Sequence, residues 1–338
     1  IAAEGTTSVT FRLTDNGSGQ FEDRAIDIVG FSELYAFTSH TFTNAGATGR
    51  YGPTLSDLTT GSDAYSPDWT DSTNNLNVTT QGIQEWTVPQ TGSYTIKAAG
   101  AAGAGAHPSY LNTAAFRGIE MQGTFTLTKG VTVRIIVGQM GLWVNSGGGG
   151  GGSFVYYNAT DTYPILAAGG GGGIDDWNNA TLSPSVTTYS PGAFTDGQSG
   201  TSGGANSQGQ SGGTNGGGGA GHNYGSGGAG WLTDGADAYH SQGTGGGHAP
   251  RNDGTGGVSQ GGAVAAQGGF GGGGSTHGNT GGAGAGGGYS GGVGVTGGLG
   301  YGAGGGGSYG GSATGVYNAA GGSGQINGGH GYVVITKN

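Results

Sequence analysis

Apolar and polar residues alternate through much of the first 140 residues of the chain. In SVTFRLTD (residues 8–15), Val9, Phe11 and Leu13 share one face and polar residues occupy the other. The same period of two recurs in IQEWTVP (83–89), GSYTIKAAG (92–100), GTFTLTKG (123–130) and VTVRIIVGQ (131–139). Such alternation predicts β-strands with one buried face. Gly, Asn, Pro and Thr separate the runs, and we find no convincing helix start or stop signal. The pattern predicts an all-β, antiparallel sandwich.

The alternation stops near residue 146. Residues 147–329 are mostly glycine with small polar residues, interrupted early by SFVYY (153–157) and YPILAA (163–168). GHGYVVITKN (329–338) then closes the chain with one more predicted strand. Glycine makes up 89 of the 338 residues, about a quarter against a usual level of about 7%. Because glycine loses more backbone freedom on folding than any other residue, so much of it needs a physical explanation.

Three structures suit a glycine-rich region of this length. One is a disordered linker. A second is collagen, which needs glycine at every third position and much proline; here the glycine phase slips and the chain has 8 prolines. The third is a bundle of polyproline-II helices within one chain, whose outward-pointing N–H and C=O groups pair with neighbouring helices. We predict the third, with glycine replacing the apolar core as the packing material.

Charge and composition remove several function classes. The net charge is −10, and Arg251 is the only Lys or Arg between Arg134 and Lys337. Nucleic-acid binding and attraction to anionic membranes are therefore not expected. The chain has no cysteine, which excludes disulfides and thiolate metal sites. No apolar run approaches the roughly 20 residues that span a bilayer. We expect a soluble or surface-displayed protein that is processed or is a piece of a longer chain.

Several ordered stretches resemble the extracellular region of the anaplastic lymphoma kinase and leukocyte tyrosine kinase receptors. They are GATGRYGPT (46–54), GIQEWTVPQTGSYTIKAAGAAG (82–103), GTFTLTKGVTVRIIVGQMG (123–141), GGGGGGSFVYY (147–157), PILAAGGGGG (164–173) and GHGYVVIT (329–336). The resemblance implies a TNF-like β-sandwich with an inserted glycine-rich polyproline-II bundle. The receptors' cysteines, membrane span and kinase have no counterpart here, and no ligand-binding residue is carried over.

These observations predict four segments. Residues 1–41 form an N-terminal β segment or connector, and residues 42–146 form the TNF-like sandwich. Residues 147–328 form the glycine-rich polyproline-II bundle, and residues 329–338 supply the closing strand of the sandwich. The bundle is also similar in architecture to those of some phage tail-fibre adhesins, in which loops between the helices contact the host.

Catalytic and metal motifs give little signal. The nucleophile pattern G-x-S-x-G occurs at residues 209–213, 288–292 and 306–310, as expected by chance at this glycine content, and none lies between a predicted strand and a helix. Asp234, Asp237 and His240 cluster in TDGADAYH (233–240), which suits a metal site or a solvated loop; we favour the loop. The chain is expected to be no enzyme and to hold no cofactor or metal.

Polar and aromatic interruptions of the glycine region are the candidates for a contact surface. Function often lies on loops that a rigid scaffold holds, and the densest such loop contains Trp231, Asp234, Tyr239 and His240. Trp177 and Tyr189 lie in a second interruption. We predict that these six residues bind a receptor, while an equally weighted alternative is that Trp231 and Trp177 cap the bundle.

The predicted function is a non-enzymatic binding or structural module at a virion surface or outside a cell. The best candidate is a phage fibre or adhesin whose partners are a host cell-surface receptor, carbohydrate or protein, and other virion or surface-assembly subunits. Alternatives are a secreted or cell-surface microbial adhesin or filament subunit, and an ice-binding protein. A regular array of Thr or Ala on one face would favour ice binding, and irregular aromatic loops a macromolecular partner.

Overall fold

The protein is represented by a computed structural model, which describes residues 33–104, 116–144, 146–175, 197–198, 202–239, 244–259, 267–277, 281–296, 301–311, 314–318 and 325–338. Their strands are β1 (Ser39–Phe42), β2 (Leu76–Asn77), β3 (Ile83–Thr87), β4 (Gly92–Ala99), β5 (Gly118–Leu127), β6 (Thr132–Ile136), β7 (Ser153–Tyr156), β8 (Leu166–Ala168), β9 (Thr314–Asn318), β10 (Gln325–Asn327) and β11 (Tyr332–Lys337). The predicted strand at residues 8–15 lies outside the described residues.

Two antiparallel sheets form a β-sandwich, as the alternation predicts. The first sheet has the order β1-β11-β4-β5-β10, with β9 also pairing β5, and the second has the order β2-β3-β6-β7-β8. The closing strand β11 lies between β1 and β4, so the end of the chain completes the sheet that its earlier part begins. The finer expectation of a TNF-like topology stays a prediction.

The inward faces of both sheets form the main apolar core. On β4 and β11 the buried positions alternate, since Tyr94, Ile96 and Val333 have no exposed surface while the intervening residues are partly exposed or exposed. Trp86 on β3 packs its ring against Tyr94, with ring centroids 5.9 Å apart. Burial of apolar side chains of this size stabilises each by roughly 1.5–3 kcal/mol, so this core stabilises the sandwich.

The expectation of no helix signal is wrong for one short segment. An α-helix, α1, covers Leu55–Thr59, and a 3₁₀ turn covers Asp68–Asp71. Thr54 caps α1, because its hydroxyl accepts from the Asp57 backbone N–H and the Asp57 carboxylate accepts from the Thr54 backbone N–H. This reciprocal arrangement is a capping box, and its T-x-x-D spacing is present in the sequence.

The predicted segment boundaries differ from those of the sheets. β1 begins at Ser39, three residues before the predicted start of the sandwich at residue 42. Four strands, β7 to β10, lie within the range 147–328 that was assigned to the glycine bundle, and each belongs to one of the two sheets of the sandwich. The apolar interruptions SFVYY and YPILAA are therefore parts of the second sheet rather than of the bundle.

Glycine-rich segments are joined by backbone hydrogen bonds between residues far apart in the chain. The Gly150 N–H donates to the Gly171 carbonyl (2.8 Å), and the Gly150 carbonyl accepts from the Gly287 N–H (3.0 Å). The Gly171 N–H donates in turn to Ala101 (2.9 Å). Such bonds satisfy backbone groups that would be costly to bury unpaired. The polyproline-II conformation of these segments stays a prediction.

The outward face of the second sheet packs against the glycine-rich segments. Phe154 and Tyr156 on β7 contact Trp231 and Phe270, and all four side chains are buried. The Phe270 ring lies directly over Gly82, where an added Cβ would be 2.2 Å from the ring carbon Cζ. Gly82 also has a φ of +87°, so both space and backbone conformation require glycine there.

A pH-dependent loss of stability is expected from His40. Its ring packs edge-on against Phe42, Tyr65 and Trp69, and burial lowers the pKa of His40 from 6.5 to about 4. The unfolded chain takes up this proton near pH 6.5, before the folded chain does. His40 should therefore lower the free energy of unfolding as pH falls from 6.5 to 4, by roughly 3 kcal/mol at about 1.36 kcal/mol per pKa unit.

This effect is measured by urea unfolding at pH 7.5, 5.5 and 4 for the wild type and for His40→Phe. The phenyl ring preserves the edge-on packing and removes the titrating group, so the variant should lose less stability across this range. Equal pH dependence in the two proteins would contradict the assignment to His40.

Candidate functional site

A surface groove of about 460 Å³ lies between two stretches of the glycine-rich region, residues 231–239 and 244–259. Its lining consists of Asp234, Gly235, Asp237, Gly245, Gly246, His248 and Val258. The groove therefore combines two carboxylates and an imidazole with backbone and one apolar side chain. Asp234 and Asp237, from the predicted contact loop, therefore line one side of the groove.

Both carboxylates fix one stretch to the other. One Asp234 oxygen, Oδ1, accepts from the Ala249 N–H at 2.7 Å and from the Asn252 side-chain amide at 3.0 Å. Asp237 Oδ1 accepts from the Gly246 N–H at 2.9 Å. Hydrogen bonds to charged acceptors are the stronger class, so these contacts hold the groove in a defined shape.

Close backbone packing supports the same walls. The Gly235 N–H donates to the Gly247 carbonyl at 2.9 Å. A Cβ added to Gly246 would lie 1.9 Å from the Gly235 carbonyl oxygen, which no side chain tolerates. Glycine backbone therefore forms these walls. A side chain added at Gly246 would force the walls apart.

His248 stands at the edge of the groove in a polar cluster. Its Nδ1 lies 3.0 Å from the Thr255 hydroxyl and 3.4 Å from an Asp253 carboxylate oxygen. Both side chains of the ion pair are well exposed, so the pair adds little stability. The Thr255 hydroxyl and the Asp253 carboxylate therefore both lie beside the same ring nitrogen of His248.

The burial of Trp231 fits the capping alternative and not the predicted receptor contact. Trp231 is 0% exposed, and its ring lies 5.2 Å from that of Tyr156 and 6.1 Å from that of Phe154. Its indole Nε1–H donates to the Asp161 carbonyl at 2.9 Å. The physical reason is that the outward face of β7 is apolar and needs a cover, which Trp231 supplies. Trp231 therefore anchors the predicted contact loop and is not on its surface.

Tyr239 remains available for contact. It is 70% exposed, two residues beyond Asp237, and its backbone N–H donates to the His222 carbonyl at 3.0 Å. The His222 ring lies 6.3 Å from that of Tyr239. His240, Trp177 and Tyr189 lie outside the described residues. The receptor-binding role of Asp234, Tyr239 and these three stays a prediction.

Neither a metal site nor a serine nucleophile gains support from the geometry. The described residues contain no group of three or more His, Asp or Glu side chains that could hold a metal ion. In the G-x-S-x-G matches at 288–292 and 306–310, Ser290 and Ser308 are buried. Their hydroxyl oxygens accept from the N–H groups of Gly216 and Gly169, each at 3.0 Å, so both serines pair glycine backbone.

Comparison with known proteins shows a partial similarity to a receptor. No protein-family profile matches the chain. The mouse leukocyte tyrosine kinase receptor is 38% identical over 100 residues, which is 30% of this chain and 11% of the receptor. The matched part thus spans about a tenth of the receptor's length. Among the described helices, none is long and apolar enough to cross a membrane. The chain, whose own fold is all-β, is therefore similar to a small part of this receptor.

Proposed function

We propose that this chain is a non-enzymatic module that binds a partner at a surface and is displayed on a virion, as part of a fibre or adhesin for host attachment. The observation that carries the proposal is the groove between residues 231–239 and 244–259, with exposed Tyr239 beside it. A partly matching relative that is itself a receptor favours binding over other roles. The virion context rests on the architectural similarity to phage tail-fibre adhesins.

The groove chemistry suits a ligand that donates hydrogen bonds. Asp234 and Asp237 are acceptors, and each keeps an oxygen beyond the one that binds backbone. Tyr239 adds a large ring with few rotatable bonds, a common source of binding energy in interfaces. Hydroxyl groups of a surface carbohydrate or amides of a protein receptor would pair with these carboxylates. Because hydrogen bonds hold the walls, binding orders few new groups.

The alternative functions differ from this proposal in where the protein is displayed or in what it binds. A secreted or cell-surface adhesin, or a filament subunit, would use the same groove without a virion. Ice binding is less favoured, because the exposed residues of the loop are irregular in size and charge: Thr233, Asp234, Ala236, Asp237 and Tyr239. Buried Ser290 and Ser308, each bonded to backbone, support the non-enzymatic assignment.

The test is binding of the labelled full chain to immobilised surface glycans and to intact bacterial cells. Wild type is expected to bind at least one of these surfaces. Tyr239→Ala should weaken that binding by about tenfold or more, the scale of an interface anchor. Its melting temperature should match that of wild type, because the ring is 70% exposed.

Tyr51→Ala is the matched control, since Tyr51 is also exposed (52%) and lies outside the glycine-rich region. It should bind like wild type. Binding that survives Tyr239→Ala, or no binding to any surface, would overturn the proposed contact site. Shortening of a bound polysaccharide during incubation would contradict the non-enzymatic assignment.

A further inference from the structure

A short loop between β7 and β8 presents an exposed tyrosine, Tyr163. The loop is held by two bonds between Asn158 and Asp161: the Asn158 N–H donates to an Asp161 carboxylate oxygen at 3.0 Å, and the Asp161 N–H donates to the Asn158 carbonyl at 3.1 Å. The Asp161 carbonyl also receives the Trp231 indole N–H. The loop is therefore fixed both within itself and to the glycine-rich region.

Tyr163 is the outer member of a stack of three tyrosine rings. Its ring lies 5.2 Å from that of Tyr309 at an interplanar angle of 5°. Tyr309 in turn lies 4.7 Å from Tyr289 at 26°. Exposure falls inward along the stack, from 54% at Tyr163 to 4% at Tyr289. Since Tyr309 covers one face of the Tyr163 ring, the exposed surface includes the opposite face.

We propose that this outer face of Tyr163 is a stacking platform for a sugar ring, in a carbohydrate-binding subsite separate from the groove beside Tyr239. A pyranose has a flat patch of C–H groups, whose positive edge matches the negative face of an aromatic ring. Its hydroxyl groups radiate from the ring edge, where polar groups of the protein can pair with them. Few precisely placed polar groups beside an aromatic wall are typical of small-ligand sites.

Polar groups that suit a sugar lie at the platform. Thr162 is exposed beside Tyr163. Burial raises the pKa of the Tyr309 and Tyr289 hydroxyls, and the nearby Tyr163 hydroxyl raises both further. These phenols therefore stay protonated at neutral pH and can donate as well as accept. The Thr162 hydroxyl, next to Tyr163 in the chain, is the polar group that lies nearest in sequence to a sugar stacked on the outer face.

Charge argues against the other flat ligand that stacks on tyrosine, a nucleobase. Proteins that stack bases of single strands also need a basic groove for the phosphates. Here the net charge is −10, from 19 acidic and 9 basic residues, and the basic side chain at this loop, Arg134, is already paired with Glu85 and the Tyr157 carbonyl. A neutral, hydroxyl-rich ring meets no such penalty. The observations therefore favour a sugar over a nucleotide.

The subsite is preorganised, which lowers the cost of binding a ligand. The inner end of the stack is buried in the same cluster as Phe154, Tyr156 and Trp231. Tyr163 thus needs no reorganisation to receive a ligand, and the ordering cost of binding is small. This inference does not rest on the proposed function, because it concerns a different loop and a different set of residues.

The test is saturation-transfer difference NMR of the full chain with soluble cellobiose, chitobiose and lactose, with AMP and a proline-rich peptide as competing ligand classes. At least one disaccharide should receive saturation mainly on C–H protons of one ring face. Tyr163→Ala and Tyr163→Leu should each weaken its affinity about tenfold or more. Tyr163→Phe, which keeps the planar ring, should retain most of it.

Tyr51→Ala again serves as the control, because Tyr51 matches the exposure of Tyr163 at 52%. It should bind the disaccharide like wild type. Binding of no disaccharide, unchanged affinity in folded Tyr163→Leu, or Tyr163-dependent binding of AMP or the peptide alone would each overturn the proposal. Loss of binding in Tyr163 variants with normal attachment through Tyr239, or the reverse, separates this proposal from the proposed function.

Discussion

Gly150→Val is expected to destabilise the protein severely and to lower its soluble yield. A Cβ on Gly150 would lie 2.4 Å from the Ala101 carbonyl oxygen and 2.5 Å from that of Ala102. Both contacts are with backbone, which cannot rotate away. The segment would have to shift, breaking the hydrogen bonds of Gly150 to Gly171 and Gly287.

The expected decrease in the free energy of unfolding has two contributions. Overpacking costs typically about 1–3 kcal/mol, and each lost backbone bond adds roughly 0.5–1.5 kcal/mol. The sum is a large share of the roughly 5–15 kcal/mol that stabilises a typical protein. Thermal and urea unfolding of purified protein measure this loss, which should appear as a melting temperature several degrees or more below that of wild type.

Gly92→Val is the matched control for this prediction. A Cβ at Gly92, on β4, would meet no heavy atom within 4 Å, and valine suits a strand. It should therefore melt close to wild type. A Gly150→Val protein that melts with the control would show that the segments around Gly150 are not packed as described.

Trp231→Ala is expected to be the second most damaging substitution. Trp231 is fully buried against Phe154 and Tyr156, and its removal leaves a cavity between the second sheet and the glycine-rich region. Replacing a buried Trp by Ala typically costs about 3–5 kcal/mol. The Asp161 carbonyl also loses the indole N–H that it accepts.

Urea unfolding of Trp231→Ala, Trp231→Phe and wild type tests this prediction. The phenyl ring fills part of the cavity but cannot donate to Asp161, so Trp231→Phe should be intermediate. A Trp231→Ala protein as stable as wild type would contradict the anchoring role and restore the prediction of an exposed contact. Limited proteolysis should also cut the glycine-rich region of Trp231→Ala faster.

Strand positions could be predicted from the sequence because a period of two records which face is buried. β3, β4 and β6 lie within the alternating runs, β5 begins before its run and ends within it, and β11 lies within the predicted closing strand. The short helix α1 was missed, although its capping signal at Thr54 and Asp57 is local. The predicted end of the sandwich at residue 146 marks a change in amino-acid composition. The sheets do not end there, because β7 to β10 lie after residue 146 and belong to them.

The sequence of β7 indicates that a side chain from outside the sandwich, such as Trp231, must cover this strand. β7 is buried at all four positions, Ser153–Tyr156, and its sequence SFVY shows no alternation. A strand without alternation is buried on both faces, so something outside the sandwich must cover Phe154 and Tyr156. The sequence thus indicates that a cover exists, but many aromatic residues could supply it.

What the sequence by itself determined is that the fold is an antiparallel β-sandwich and where β3, β4, β6 and β11 lie. Only the tertiary structure decided which glycine segments pair, which of Trp231 and Tyr239 faces inward, and that Tyr163, Tyr309 and Tyr289 stack. The physical reason is that glycine has no side chain to record a partner. One N–H in a glycine run is chemically the same as the next, so the pairing of Gly150 with Gly171 and Gly287 depends on contacts between segments far apart in the chain.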